Sequence, residues 1–134
     1  MKEYKAILFS EENNVATITI NQPESMNALT AEILTEIGTA LDVVEADESI
    51  KVLVITGSGE KAFVAGANIK GFTEMDIESG TEFSRLGNEV FYKLSTLRQP
   101  TIAAGTLAEG CRCRRNPGPR ERSWPASYQR RTCP

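Results

Sequence analysis

The stretch Ala65-Gly66-Ala67-Asn68 offers no nucleophile and no titratable side chain, so any chemistry it does belongs to the main chain. Small residues in a row let a ligand approach the backbone, where unpaired N–H groups can donate to an oxygen that gathers negative charge. Other chemistries for the surrounding segment, GSGEKAFVAGANIKG from Gly57 to Gly71, fit less well. Gly57-x-Gly59-x-x-Ala62 mimics a dinucleotide fingerprint, but Lys61 to Ala65 opens no amphipathic helix and no acidic residue ends a second strand about 20 residues on. A phosphate loop needs Gly-Lys-Ser/Thr, whereas Lys61 follows Glu60. A turn that merely closes the loop is the structural alternative.

Histidine is absent from all 134 residues. That excludes His-based acid/base work, Ser/His/Asp and Cys/His nucleophile arrangements, and imidazole zinc sites. Cys111-Arg-Cys113 with Cys133 lacks the paired C-x-x-C spacing of structural zinc, so no metal site is assigned. An Arg cluster around Trp124 and Tyr128 has the ingredients of a nucleic-acid patch. It lies, however, in a segment too poor in apolar residues to fold alone, and no nucleic-acid partner is assigned.

Charge divides the chain at the same place. Residues 1–104 hold 8 Lys+Arg against 16 Asp+Glu, while residues 105–134 hold 7 Arg, no Lys and 2 Glu. All three cysteines, the one tryptophan and four of the six prolines fall in the second part. The expected organisation is a folded unit at 1–104 and an irregular Arg/Pro/Cys-rich tail at 105–134. The longest apolar runs, such as Val52–Ile55, are far below the roughly 20 residues of a membrane helix, and the opening Met1-Lys2-Glu3-Tyr4 has no signal-peptide pattern. No membrane partner and a cytoplasmic location are the expectations.

The elements that must position the small-residue loop read as α/β. Ala6–Glu11 and Val15–Ile20 are β-forming runs, and Asn13-Asn14 between them suits a hairpin turn. Thr30 offers an N-cap for a helix carrying Ile33, Leu34, Ile37, Leu41 and Val44 on one stripe, with Glu32 and Glu36 near its positive end. Val52–Thr56 reads as a parallel strand buried on both faces. A second helix between Ile77 and Leu97 aligns Phe83, Leu86, Val90, Phe91, Leu94 and Leu97, and Gln99-Pro100 stops it. Thr101–Ala104 begins another strand. The small-residue loop thus follows a buried strand, at the end where ligands bind in α/β sheets.

Taken in order, VATITINQPESMNALT, VLVITGSGEKAFVAGANIKGF and QPTIAA resemble the amino-terminal part of the enoyl-CoA hydratase/isomerase (crotonase) family over residues 5–104. Asn21-x-Pro23-x-x-x-Asn27-Ala28-Leu29 and Gly57-x-Gly59-x-Lys61-x-Phe63-x-Ala65-Gly66-Ala67 carry the resemblance. It implies a partial crotonase-like ββα spiral, N-terminal units only, that binds acyl-CoA thioesters. CoA would arrive as part of the substrate and no separate cofactor is implied. Full-length members are expected to be trimers or dimers of trimers. Two backbone N–H groups would stabilise the thioester enolate, and the first maps onto Ala67. The substrate-contacting stretch maps onto Ala67, Asn68, Ile69 and Lys70, while Ala65, Ala28 and Leu29 would lie against the CoA nucleotide and pantetheine. Asn68 stands where Asp is usual, which bears on substrate class.

In the family, the strand matching Thr101–Ala104 leads into a Gly-rich loop with the second donor, then a catalytic glutamate, then another about a helical turn later. Here Gly105-Thr106-Leu107-Ala108 follows, and Glu109 precedes Gly110-Cys111 instead of following it. Glu121 lies in the Pro/Arg-rich stretch, so neither glutamate takes a catalytic role. The resemblance therefore implies a lyase of fatty-acid-type metabolism, a short-chain enoyl-CoA hydratase in complete form, adding water to trans-2-enoyl-CoA but inactive as written. The alternatives are a Δ3-Δ2 enoyl-CoA isomerase of the same family and a non-catalytic acyl-CoA-binding module. The compositional break is what a shifted reading frame in a GC-rich gene would yield.

Overall fold

The computed structural model describes residues 4–105. The expected irregular tail beyond Gly105, with Glu109, Glu121 and the three cysteines, lies outside the described residues.

Strands β1 (Ile7–Glu12) and β2 (Val15–Ile20) form a hairpin whose two turn residues, Asn13 and Asn14, both have positive φ (52° and 66°). A two-residue turn of that hand matches the twist of the strands it joins, and asparagine tolerates it better than most residues. Helix α1 (Ala31–Ala46) follows, with Thr30 Oγ1 accepting from the Ile33 N–H at 3.2 Å. Strand β3 (Val52–Gly57) pairs parallel with β2, and strand β4 (Thr101–Ala104) pairs parallel with β3, so the sheet order is β1-β2-β3-β4. Helix α2 (Ile77–Thr96) connects β3 to β4 after a loop that includes a 3-10 segment at Ile69–Glu74. The architecture is thus one ββα unit followed by a longer strand-loop-helix step into the next strand.

The core lies between one sheet face and α1. Register brings Ile7, Ile18, Ile20, Leu53 and Ile55 onto that face. Ile33, Leu34, Ile37, Ala40, Leu41 and Val44 of α1 are buried against it. Burial of each large aliphatic side chain contributes roughly 1.5–3 kcal/mol. Helix α2 packs mainly on α1: Gly38 brings its backbone close to Val90, and Lys93 bonds to Asp42 across the helix pair.

Two expectations are corrected. Strand β3 is not buried on both faces; Leu53, Ile55 and Gly57 are buried while Val52, Val54 and Thr56 are half-buried, because the helices cover only one side of the sheet. Phe91 is not on the buried stripe of α2 and is 51% exposed. With only α1 beneath it, α2 buries a narrow strip, Gly87 and Val90, flanked by partly buried Phe83, Leu86, Leu94 and Leu97.

Side chains also fix the chain where no repeating ladder does. The Glu36 carboxylate accepts from the N–H groups of Lys5, Ala6 and Ile7 at 2.9, 2.9 and 3.1 Å, tying the entry to β1 onto α1. Gln99 is buried, and its Nε2 donates to the Val44 carbonyl at 2.7 Å, one of the carbonyls that the last turn of α1 leaves without an intrahelical partner.

Candidate functional site

Parallel pairing places the carboxyl ends of β2 and β3 side by side, so the two loops leaving them are neighbours. The first loop, residues 21–30, contains a short 3-10 turn at Pro23–Ser25, then Met26 and Asn27, both left-handed at φ 54°. The second runs from Ser58 to Asn68. They meet in an isolated parallel bridge between Leu29 and Ala67. Within it the Leu29 N–H donates to the Gly66 carbonyl at 2.7 Å and the Asn68 N–H donates to the Leu29 carbonyl at 2.9 Å. A third bond, Ala65 N–H to the Met26 carbonyl at 3.1 Å, closes the contact.

This arrangement engages the amides of Ala65 and Asn68 but not that of Ala67. In a parallel bridge the partner strand bonds the residues flanking the paired one, leaving the paired residue's own N–H facing the opposite edge. Among the described residues the Ala67 N–H has no acceptor, and Ala67 is exposed. Gly66 permits the turn that presents it: its φ is +119°, a conformation side chains resist, and nothing lies within 4 Å of where a Cβ would stand.

The two loops enclose an open groove of about 540 Å³ lined by small and apolar groups, with Glu24 and Lys70 as its charged members. Ala28, Ala65, Ala67, Asn68, Ile69 and Lys70 all line it, so most of the residues singled out by sequence come together. Leu29 does not line the groove; its side chain packs against the core and it contributes through the backbone bridge alone. Asn68 Oδ1 accepts from the Lys70 N–H at 3.2 Å and caps the 3-10 segment, and Ile69 is 73% exposed. Sequence reasoning missed Glu24, Ser25 and Met26 on the opposite wall. Proximity of the β2 and β3 loops, implied by parallel pairing, was the signal that could have found them.

A second cavity of about 420 Å³ adjoins the first, sharing Glu24 and Met26 and including Ser58, Gly59, Glu60 and Lys61. Among the described residues no group of three or more Cys, Asp or Glu stands together in a way that could hold a metal ion. No helix among them is long and apolar enough to cross a membrane.

An open groove at the carboxyl ends of the parallel strands β2 and β3, with a backbone donor that has no acceptor among the described residues, suits a ligand carrying a polarisable carbonyl. Comparison with known proteins agrees with the layout. The enoyl-CoA hydratase/isomerase family model matches residues 10–110, reaching past Ala104. The short-chain-enoyl-CoA hydratase of Clostridium acetobutylicum is 40% identical over 112 residues, covering 81% of this chain and 43% of the relative. A crotonyl-CoA hydratase of Syntrophomonas wolfei is 40% identical over 111 residues, covering 81% of this chain and 43% of that protein. Among solved structures, an enoyl-CoA hydratase/carnithine racemase from Magnetospirillum magneticum matches at a TM-score of 0.72 and 30% identity, over 77% of this chain and 39% of that one. The chain thus spans less than half the length of the relatives it matches. The loop patterns, the sheet order and these matches agree that the chain belongs to the enoyl-CoA hydratase/isomerase family.

Proposed function

We propose that this chain carries the acyl-CoA-binding part of an enoyl-CoA hydratase, with the Ala67 N–H as one of two donors to the thioester oxygen. The observation that carries the reading is the exposed Ala67 N–H, without an acceptor among the described residues, in the wall of a groove large enough for an acyl thioester. In the complete reaction, water adds to the β carbon of a trans-2-enoyl-CoA. A base takes a proton from that water, the thioester becomes an enolate, and an acid protonates the α carbon. A donor aimed at the enolate oxygen is worth about 10²–10³ in rate, and each acid/base group about 10²–10⁴. Ala65 and Ala28 would flank the CoA moiety, while Asn68, Ile69 and Lys70 would face the acyl end. A trimeric assembly belongs to the same proposal.

The matching glutamates and the Gly-rich loop are not found at the expected positions after Ala104, so the chain as written should bind without turnover. Glu24 is the one carboxylate among the described residues of the groove. Titration calorimetry with crotonyl-CoA, paired with a hydration assay, tests both parts. Binding with no hydration above a blank is the expected result. No binding by a folded chain would overturn the groove assignment. Hydration that disappears in Glu24→Gln would make Glu24 the acid/base group and overturn the inactive reading.

A further inference from the structure

Asn27 is 1% exposed, and its side chain makes bonds to three backbone groups. Its Oδ1 accepts from the Gln22 N–H at 3.0 Å, and its Nδ2 donates to the carbonyls of Ser58 and Ala62, both at 2.9 Å. Both amide hydrogens are thereby used on the loop after β3, and the oxygen on the loop after β2. Only a carboxamide of this length supplies that set. Aspartate would set an oxygen against two carbonyls, and serine reaches neither. The backbone is left-handed here, φ 54°, which asparagine accepts more readily than larger residues.

The second loop is consequently held at two places. The Asn27 side chain grips its root at Ser58 and Ala62, and two residues along the chain Leu29 bonds to Gly66 and Asn68 on either side of Ala67. We propose that Asn27 is a positioning residue for the Ala67 donor: its carboxamide fixes the loop after β2 to the root of the loop after β3, so that the Leu29 bridge presents the Ala67 N–H at one location. The inference rests on the reading of Ala67 as a donor to a thioester oxygen.

Two measurements test it. In the unmodified chain, amide hydrogen exchange should show Asn27, Leu29, Ala65 and Asn68 opening as one unit, with protection factors within about threefold of each other. Independent opening, with Leu29 and Asn68 exchanging more than about tenfold faster than Asn27 and Ala65, overturns the proposal without any variant being needed.

The second measurement compares butyryl-CoA with S-butyl-CoA, a thioether that lacks the carbonyl. A net hydrogen bond to the thioester oxygen should favour butyryl-CoA by about fivefold in the unmodified chain. Asn27→Asp keeps the size, and Asn27→Gly keeps the left-handed backbone while admitting water; in either, the ratio should fall to about one while the thioether still binds. General weakening of the fold would lower both affinities together and leave the ratio standing. No preference in the unmodified chain overturns the donor reading itself. A preference that persists in a folded Asn27 variant overturns the positioning role alone.

Discussion

Replacing Gly57 by alanine should unseat the junction between the sheet and both site loops. A Cβ there would stand 2.3 Å from the Phe63 carbonyl oxygen, 2.7 Å from Asn27 Nδ2 and 3.0 Å from the Ala62 carbonyl oxygen. The first separation is about 1 Å inside ordinary contact, and it involves backbone, which cannot rotate out of the way as a side chain tip would. Overpacking of this kind costs about 1–3 kcal/mol. Moving the Ala62 carbonyl also stretches its 2.9 Å bond from Asn27, and an unsatisfied buried polar group adds about 1–3 kcal/mol. The expected loss is therefore roughly 2–6 kcal/mol. At about 4–8 °C per kcal/mol for a unit of this size, the melting midpoint should fall by about 10 °C or more. Thermal melting followed by circular dichroism measures it. Gly66→Ala is the comparison: no atom lies within 4 Å, so only backbone strain opposes it, about 1–3 kcal/mol. A Gly57→Ala chain that melts within about 2 °C of the parent would refute the packing argument, since even the smallest overpacking penalty exceeds that.

Thr30→Ala removes the α1 cap bond to the Ile33 N–H and should cost roughly 1 kcal/mol, with faster hydrogen exchange at Ile33 as the local sign. Glu36→Gln replaces one acceptor oxygen by a donor facing three backbone N–H groups; denaturant titration should show a loss of about 1–3 kcal/mol, and exchange should quicken at Lys5, Ala6 and Ile7. At the start of α2, hydrogen bonds from the Ser79 hydroxyl and N–H hold the Asp76 carboxyl below its ordinary value of 3.8. A lowered folded-state pKa means the cap contributes fully above the unfolded value and is lost as pH falls through the folded one. The helical signal should therefore weaken below about pH 4, and less so in Asp76→Asn.

Local signals in the sequence were strong where one element decides the outcome. The Asn13-Asn14 turn and the Thr30 cap act within a few residues, and both formed as read. The stripe of α1 was legible because its buried face meets a whole sheet. Phe91 misled because periodicity tells which residues share a face but not how wide a neighbour lies beneath it. Glu36 looked like a helix-dipole residue, yet it bonds to N–H groups 29–31 residues away, a partnership no local pattern encodes. Gln99 looked like part of a helix stop and instead serves a carbonyl of α1 from 55 residues away.

At the site, Ala65–Asn68 was legible from its small residues and its place after a strand, whereas Ala28, Ile69 and Lys70 were reached only through the family resemblance. Glu24, Ser25 and Met26 were not, because they reach the groove only through the pairing of β2 with β3. Asn27 was visible as part of a pattern, but its three bonds to two loops follow from tertiary structure alone.

The most direct test of the central claim is acyl-CoA affinity in Ala67→Pro and Ala67→Ser. Proline deletes the Ala67 N–H and fixes φ, yet neither bond of the Leu29 bridge uses that N–H, so the loop contact is left its own donors and acceptors. Serine keeps the donor at similar size. Crotonyl-CoA binding measured by calorimetry should be retained in Ala67→Ser and weakened by about fivefold or more in Ala67→Pro, with hydrogen exchange at Leu29 and Asn68 confirming that the bridge persists in both. Equal affinity in the two variants, with the bridge intact, would contradict the account, because the groove would then hold its ligand without the backbone donor on which the proposed chemistry depends.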